Sequence, residues 1–438
     1  MISSHFLRSR MMRWGALCAM LSFVGLLSTR NSVRNGRVSA ANVTADPRVR
    51  QALSKLSASA SALTDEQARI TEIPAPPFRE AARGKYLAKL LASAGLNVQT
   101  DEIGNVIGER PGSSKNDIVM VVAHLDTVFP ADTDVRVRRN GTRLYAPGIA
   151  DNGTGLVAML GLAQVMHELN LNTRCTMLFV ADVGEEGEGN LRGIRKLVET
   201  YRKKLRYVIA IDGAASDYIT TSALASRRVE ITIAGPGGHS WSDFGAPNPI
   251  HALARGIARF VKTPVPDDPR TTFNVGSIEG GTSVNSIPAK ATIKVDLRSE
   301  SEAQLNKIET SLRDSIQAGA DEEMTAARAH GMAEDPLSIE TKVLGVRPGG
   351  ELAENSPLLA AVLAADDYLG NRSRLERSST DANIPLAAGI PAIALGAGGR
   401  SAGAHSLEEW YDPTGREVGL QRVFLTLLSV AELAPPSN

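Results

Sequence analysis

Glu185 and Glu186 stand side by side in LFVADVGEEGEGN (178–190), where an apolar run gives way to glycine. Neighbouring carboxylates repel, and both stay ionised only where a cation or a proton offsets the repulsion. Most acidic pairs are solvated turns, so the question is what else reaches the same place. Apolar runs at 118–124, 176–182, 207–212 and 391–396 each lead into groups able to bind metal. These are His124, with Asp126 two residues on, then Glu185 and Glu186, then Asp212, and finally His405 at the end of GAGGRSAGAH. Asp151 belongs to a fifth place, the loop PGIADNGTG, which opens a helix-like stretch. Two histidines and several carboxylates converging on one edge suit zinc or a similar divalent ion. A lone histidine at a strand end is more often a structural hydrogen-bonding residue; the coincidence of all five places carries the metal reading.

The elements that must position these groups follow from hydrophobic patterning. A helix-like stretch runs from Val49 to Ile73 and stops at Pro74, and Glu80 to Ala94 is an amphipathic helix ended by Gly95. Strand-like IVMVVAH, TMLFVAD and YVIAID then alternate with helical segments around Gly155–Leu169 and Leu191–Lys204. That alternation predicts a mostly parallel sheet with helices on both faces. Strands buried on both sides read as unbroken apolar runs. The carboxyl ends of such strands are where ligands bind.

From about Arg227 the character changes. RVEITIAG alternates, Pro249 to Val261 is helical, TFNVGSIEG and AKATIKVDLRS are strands, Ser301 to Ala318 is helical, and IETKVLGVRP closes the unit. The order β-α-β-β-α-β is the ferredoxin-like split unit. The first pattern resumes after Gly350, with a helix near Pro357–Leu369 and a strand at IPAIALG. The predicted fold is therefore an α/β domain, residues 46–226 and 349–435, interrupted by an inserted α+β domain, residues 227–348.

The 438 residues carry 48 basic and 48 acidic side chains, which gives no electrostatic reason to expect nucleic acid. Arg8, Arg10 and Arg13 precede the short apolar run Trp14 to Leu27, and Val38-Ser39-Ala40 follows. Residues 1–40 thus resemble a secretory signal peptide, with export to the periplasm or medium as the expectation and an uncleaved anchor as the alternative. Once the leader is removed, no stable membrane insertion is expected. Cys175 would then be the only cysteine, which leaves no intrachain disulfide and suits a small buried apolar residue.

The motifs His124-Leu125-Asp126-Thr127-Val128, Gly148-Ile149-Ala150-Asp151-Asn152, Gly184-Glu185-Glu186-Gly187 and Gly403-Ala404-His405 resemble those of one family. It is the two-metal peptidase family of aminoacylase, glutamate carboxypeptidase, acetylornithine deacetylase and peptidase T, and the likeness runs from about Asp46 to the C-terminus. The resemblance implies two divalent ions, most simply zinc, with cobalt or manganese as alternatives. It implies that Asp151 bridges them, one ion also holding His124 and Asp212 and the other Glu186 and His405. It makes Asp126 the residue that orients the imidazole of His124, and Glu185 the general base that takes a proton from the attacking water and passes it to the leaving amine. In the inserted unit, a lid and dimerisation domain by the same likeness, His239 of GPGGHS would reach across a homodimer to the oxyanion. Asn285 and Arg298 would bind substrate, Arg298 grasping a carboxylate through its planar guanidinium. Aspartate at 212 and the stretch GEEGEGNLRG lean toward di- and tripeptidases of the aminopeptidase-like branch. N-acyl-amino-acid hydrolysis and glutamate-type carboxypeptidase activity are the alternatives.

Two rivals come from other classes. Gly399-Arg400-Ser401-Ala402-Gly403 matches the G-x-S-x-G elbow of serine hydrolases, with His405 and Asp412 close by. The elbow needs a strand turning into a helix at the serine, whereas AHSLEEWYDP follows here, and triad members normally come from separate elements. A binding protein that has lost catalysis is the other rival, and it would most simply lack a ligand or the base. His5, His167, His251 and His330 receive no role.

Overall fold

The strand that ends in His124 lies in the middle of the molecule, and its residues from Val119 to Ala123 have no exposed surface. Consecutive buried residues point to opposite faces of a strand, so both faces of the sheet are covered here. In this computed structural model the described residues are 43–332 and 334–435; the segment 1–40, expected as a signal peptide, falls outside them. Among them nine strands form one sheet, in the order Asn97–Thr100, Val106–Arg110, Cys175–Asp182, Ser114–His124, Leu205–Ile211, Ala392–Leu395, Tyr218–Ala223 and Gly350–Glu351. Arg374–Ser378 joins it beside Tyr218–Ala223. The four strands from Cys175–Asp182 to Ala392–Leu395 are parallel. Register places His124 opposite Asp182 and Leu395 opposite Ile211, so the segments that follow all emerge at one edge.

Helices Gly153–Glu168 and Arg416–Ala431 pack on the His124 strand. The first is apolar nearly all round, as a helix enclosed by sheet and other helices must be. Its first turn lies so close to the sheet that a Cβ on Gly155 would meet the carbonyl oxygen of Ile211 at 2.4 Å. The stretch Val49–Ile73, expected as one helix, is two, Pro47–Ala58 and Ala60–Thr71, with Ser59 between them turning its hydroxyl onto the carbonyl of Leu56. Cys175 is fully buried, in keeping with an apolar role.

A second sheet, wholly antiparallel, has the order Thr271–Gly280, Lys290–Ser299, Ala225–Ala234, Ser338–Arg347. In chain order that is 2-3-1-4, the arrangement of the ferredoxin-like unit. Helices Pro249–Phe260 and Glu302–Ala329 cover one face with an apolar cluster of their own, including Ile231, Leu253, Phe260, Ile293 and Leu312. The other face is charged. The helix expected to end at Ala318 continues to Ala329, because Gly319 is a point of contact rather than a stop. A side chain there would run into the backbone of Ala252 and Gly256 on the neighbouring helix.

Buried arginines fasten the α/β layers. Arg422, with no exposed surface, bonds both carboxylate oxygens of Asp366 at 2.6 and 3.1 Å and the carbonyl of Tyr218 at 2.9 Å. Asp366→Ala should therefore lower stability by about 3–5 kcal/mol, since it strands a buried guanidinium. A urea titration reads this as a fall in midpoint at constant slope; an unchanged midpoint would refute it.

Candidate metal centre

His124 ends its strand, and its ring is fixed by the next turn. Nδ1 lies 3.0 Å from the backbone carbonyl of Asp126, so it donates there, and in the neutral ring Nε2 is the nitrogen that would face a metal. Nε2 lies 3.1 Å from Oδ1 of Asp151 and 3.8 Å from Oδ1 of Asp212. The other oxygen of Asp151 is 3.1 Å from Nε2 of His405, which also lies 2.8 Å from Oε1 of Glu186. Donor atoms thus gather as His124, Asp151 and Asp212 on one side and Asp151, Glu186 and His405 on the other, each set within 4.8 Å. Asp151 alone is common to both.

These residues fit a cation. Oδ1 of Asp151 is buried with no hydrogen-bond donor, although an imidazole nitrogen stands beside it. Burial works against protonating His124, but Asp151 and Asp212 outweigh it and hold its pKa well above the ordinary imidazole value. Contacts with Asp151 and Glu186 push His405 up to about 10. Without an ion the cluster draws positive charge onto both imidazoles, and divalent metal supplies that charge in its place. Carboxylate and imidazole donors suit zinc and its neighbours.

Asp126 meets the imidazole of His124 through its main-chain carbonyl. Its carboxylate does not orient His124, from which it is 3.8 Å away. It accepts instead from the backbone N–H groups of Glu185, at 3.0 Å, and Glu186, at 2.8 Å. Asp126 therefore orients the imidazole through its main chain and holds the two-glutamate turn through its side chain. Asp126→Asn sets an amide N–H₂ against a buried N–H, and should cost about 10–100-fold in metal affinity. A chelator competition titration checks this; wild-type affinity would exclude the role.

The turn lets the glutamates diverge. Glu186 faces His405, while Glu185 is buried and paired with Arg347, Nη1 to Oε1 at 2.7 Å. A second arm of Arg347 reaches the carbonyl of Glu185. Burial raises the Glu185 pKa to about 8 although Arg347 opposes it. Arg347 ends the last strand of the second sheet, and nothing in GVRPG announces this partner. The same charged sheet face touches the turn elsewhere: Arg228 donates to the carbonyl of Gly187, and Lys294 lies 3.6 Å from Glu188.

Asn152 caps the helix after Asp151, accepting from the N–H of Gly155 at 3.1 Å, and its amide donates to the carbonyl of Ile211 at 2.8 Å. One side chain thus links the Asp151 loop to the strand that delivers Asp212. Glu409 is fully buried and accepts from the N–H groups of Gly148, Ala150 and Asp151. Burial raises its pKa to about 7 against the pull of those donors. Neither role is visible in the sequence, where Glu409 adjoins the exposed Glu408 and nothing separates the two.

A cavity of about 610 Å³ opens over the cluster, lined by His124, Asp151, Glu185, Glu186, Asp212 and His405 on one side and by Arg228, Arg298 and Arg347 on another. Arg298 shares Asp296 with Arg228, at 2.7 and 3.4 Å. His239 and Asn285 do not line this cavity. They meet on exposed loops of the second sheet's unit, where Gly238–His239 pairs with Ser286–Ile287 and the N–H of Ser240 bonds the carbonyl of Asn285. Ser401 lies on the exposed strand Arg400–Ala402, which leads through a turn into Trp410–Asp412 and not into a helix. His405 faces Glu186 and Asp151, and Asp412 faces Thr142 and Thr414, so no serine triad is assembled.

Carboxylates and imidazoles around one shared aspartate, with a further buried carboxylate beside them, form the working edge of a metal-dependent hydrolase. The chain belongs to peptidase family M20/M25/M40, which it matches over residues 120–429. It is 26% identical to YqjE of Bacillus subtilis over 358 residues, covering 77% of this chain and 90% of that protein. It is 24% identical to succinyl-diaminopimelate desuccinylase of Acinetobacter baylyi over 346 residues, 74% and 86% of the two chains. Its fold superposes on aminopeptidase PepT from Bacillus cereus with a TM-score of 0.66 at 23% identity, over 85% of this chain and 99% of that one. The protein is a metallopeptidase or metal-dependent amidohydrolase acting on peptide or amide bonds.

Proposed function

We propose that this chain is an exported di- or tripeptidase working with two divalent ions, most simply zinc. The observation that carries the reading is Asp151, one oxygen at His124 and the other at His405, common to both donor sets. His124, Asp151 and Asp212 would hold one ion, and Asp151, Glu186 and His405 the other. Bound there, the ions supply Lewis acidity that polarises the scissile carbonyl and makes water easier to deprotonate. Glu185, buried next to Glu186 in the same turn, would act as general base, taking the proton of the attacking water and delivering it to the leaving amine. Arg347 fixes the direction of that carboxylate, and the Asp126 side chain fixes the backbone beneath it.

Arg228 and Arg298 share one aspartate, which leaves cationic charge facing the cavity. That favours a substrate whose leaving part ends in a free carboxylate, and it keeps N-acyl-amino-acid hydrolysis and glutamate-type carboxypeptidase activity as the second reading. The His239 loop belongs to a homodimer in this proposal. Trp241, Phe244 and Val284 are all strongly exposed around His239 and Asn285, an apolar patch that a second copy would cover. Sedimentation of the active protein at the mass of one chain would refute the dimer.

The experiment is a cleavage panel read by mass spectrometry with zinc, cobalt or manganese supplied. It contains di- and tripeptides, C-terminal glutamyl peptides and N-acyl amino acids. Cleavage of short peptides supports the first reading, and cleavage confined to acyl amino acids or C-terminal glutamate moves the assignment to the second. A metal-loaded protein that cleaves nothing would overturn both. Recovery of the mature chain outside the cytoplasm, beginning after residue 40, tests the export.

A further inference from the structure

The metal-binding loops are far apart in sequence, and one buried carboxylate fastens two of them. His405 lies in the left-handed region, φ 65°, at the tip of a turn closed by the Ser406 N–H on the Gly403 carbonyl. The chain then folds inward, so that Glu409, four residues on, is fully buried beneath the Asp151 loop. Oε2 accepts from the N–H of Gly148 at 2.8 Å, and Oε1 accepts from Ala150 at 2.8 Å and Asp151 at 3.0 Å. The backbone adds a further tie, the N–H of Ala146 donating to the carbonyl of Glu409 at 3.2 Å.

We propose that Glu409 is a positioning residue for the metal centre: it sets the backbone of Gly148–Asp151 so that the Asp151 carboxylate faces His124 and His405 together. This rests on the metal reading above. Three donors converge on its two oxygens, an arrangement that only a carboxylate satisfies in full. A glutamine of the same shape turns one acceptor into a donor, and at least one buried N–H then loses its partner. Aspartate keeps the charge but is one methylene too short to span the turn. A residue that touches neither ion nor substrate would thus govern whether the shared ligand points correctly, as hydrogen-bond partners of metal ligands generally do.

The test compares the full chain with Glu409→Gln, Glu409→Asp and, as control, Glu408→Gln at the exposed neighbour. Zinc affinity is read by competition with a chromophoric chelator and site geometry by the visible absorption of bound Co²⁺. Hydrogen exchange of the apoprotein follows the amides of 148–151. The expected result for both Glu409 variants is about a 10–100-fold loss of zinc affinity, an altered Co²⁺ spectrum, and faster exchange confined to that turn. The control should match wild type. Glu409→Gln with wild-type affinity and exchange overturns the proposal, as does fast exchange spread over the whole chain, which would mark general unfolding. If Glu409→Gln does not fold, the same readouts on Glu409→Asp decide the question. A wild-type chain that holds no ion overturns the metal reading and this inference with it, whereas failure in the variants alone overturns only the role of Glu409.

Discussion

Glu185→Gln should lower the hydrolysis rate by about 100- to 10,000-fold, the usual contribution of a positioned acid–base group, while the protein keeps its metal. Glutamine fills the same space and can still bond Arg347 through its carbonyl oxygen, so the turn should stay folded. What it loses is the ability to accept and return a proton. Glu185 also lies within reach of His124 and Glu186, so distance alone would allow it to be a ligand. Its ion pair with Arg347 favours the other role, because Oε1 is already engaged at 2.7 Å. Elemental analysis separates the two. A variant that is inactive and metal-loaded identifies the base; one that has lost an ion identifies a ligand; one that turns over normally removes Glu185 from the reaction.

Removal of metal should abolish turnover and also loosen the fold. Asp151, Glu186 and Asp212 crowd two imidazoles at one edge, and an ion bound only to the folded state stabilises it by about 4 kcal/mol at a thousandfold excess over its dissociation constant. Dialysis against a chelator should therefore lower the melting temperature, and adding back zinc should restore both stability and activity. The pH dependence has a definite sign. The neighbouring carboxylates raise the pKa of His124 and push that of His405 up to about 10, which favours protons on both rings, so a metal entering at neutral pH should compete with protons there. Zinc affinity should fall as the pH falls, with proton release visible in a weakly buffered titration. A chelated protein that keeps both its melting temperature and its turnover would show that no ion belongs to the site.

Most of the donor set was legible before the fold was known, for a local reason. A parallel strand buried on both faces must be an unbroken apolar run, so its end is marked in the sequence and so is the residue just beyond it. His124, Glu185, Glu186 and Asp212 are all found that way. His405 was harder, since nine residues separate it from Leu395, and only its glycine-rich approach and its resemblance marked it. The spacing put Asp126 beside His124 without deciding which of its oxygens would meet the ring. The imidazole took the carbonyl, and the side chain went to the turn carrying the glutamates.

By itself, then, the amino-acid order determined which groups stand at the strand ends and the alternation of strand and helix that brings those ends to one edge. It also argued against the serine elbow, since AHSLEEWYDP rather than a helix-forming run follows Ser401. Only the tertiary structure decided what holds those groups. Arg347 reaches Glu185 from the far end of another sheet, Glu409 closes on a loop more than 250 residues earlier, and Asn152 ties the Asp151 loop to the Asp212 strand. His239 and Asn285 were placed on an exposed apolar surface away from the cavity by the same packing. The physical reason is that periodicity and capping act between near neighbours, whereas a buried charge must find its partner wherever the folded chain happens to pass.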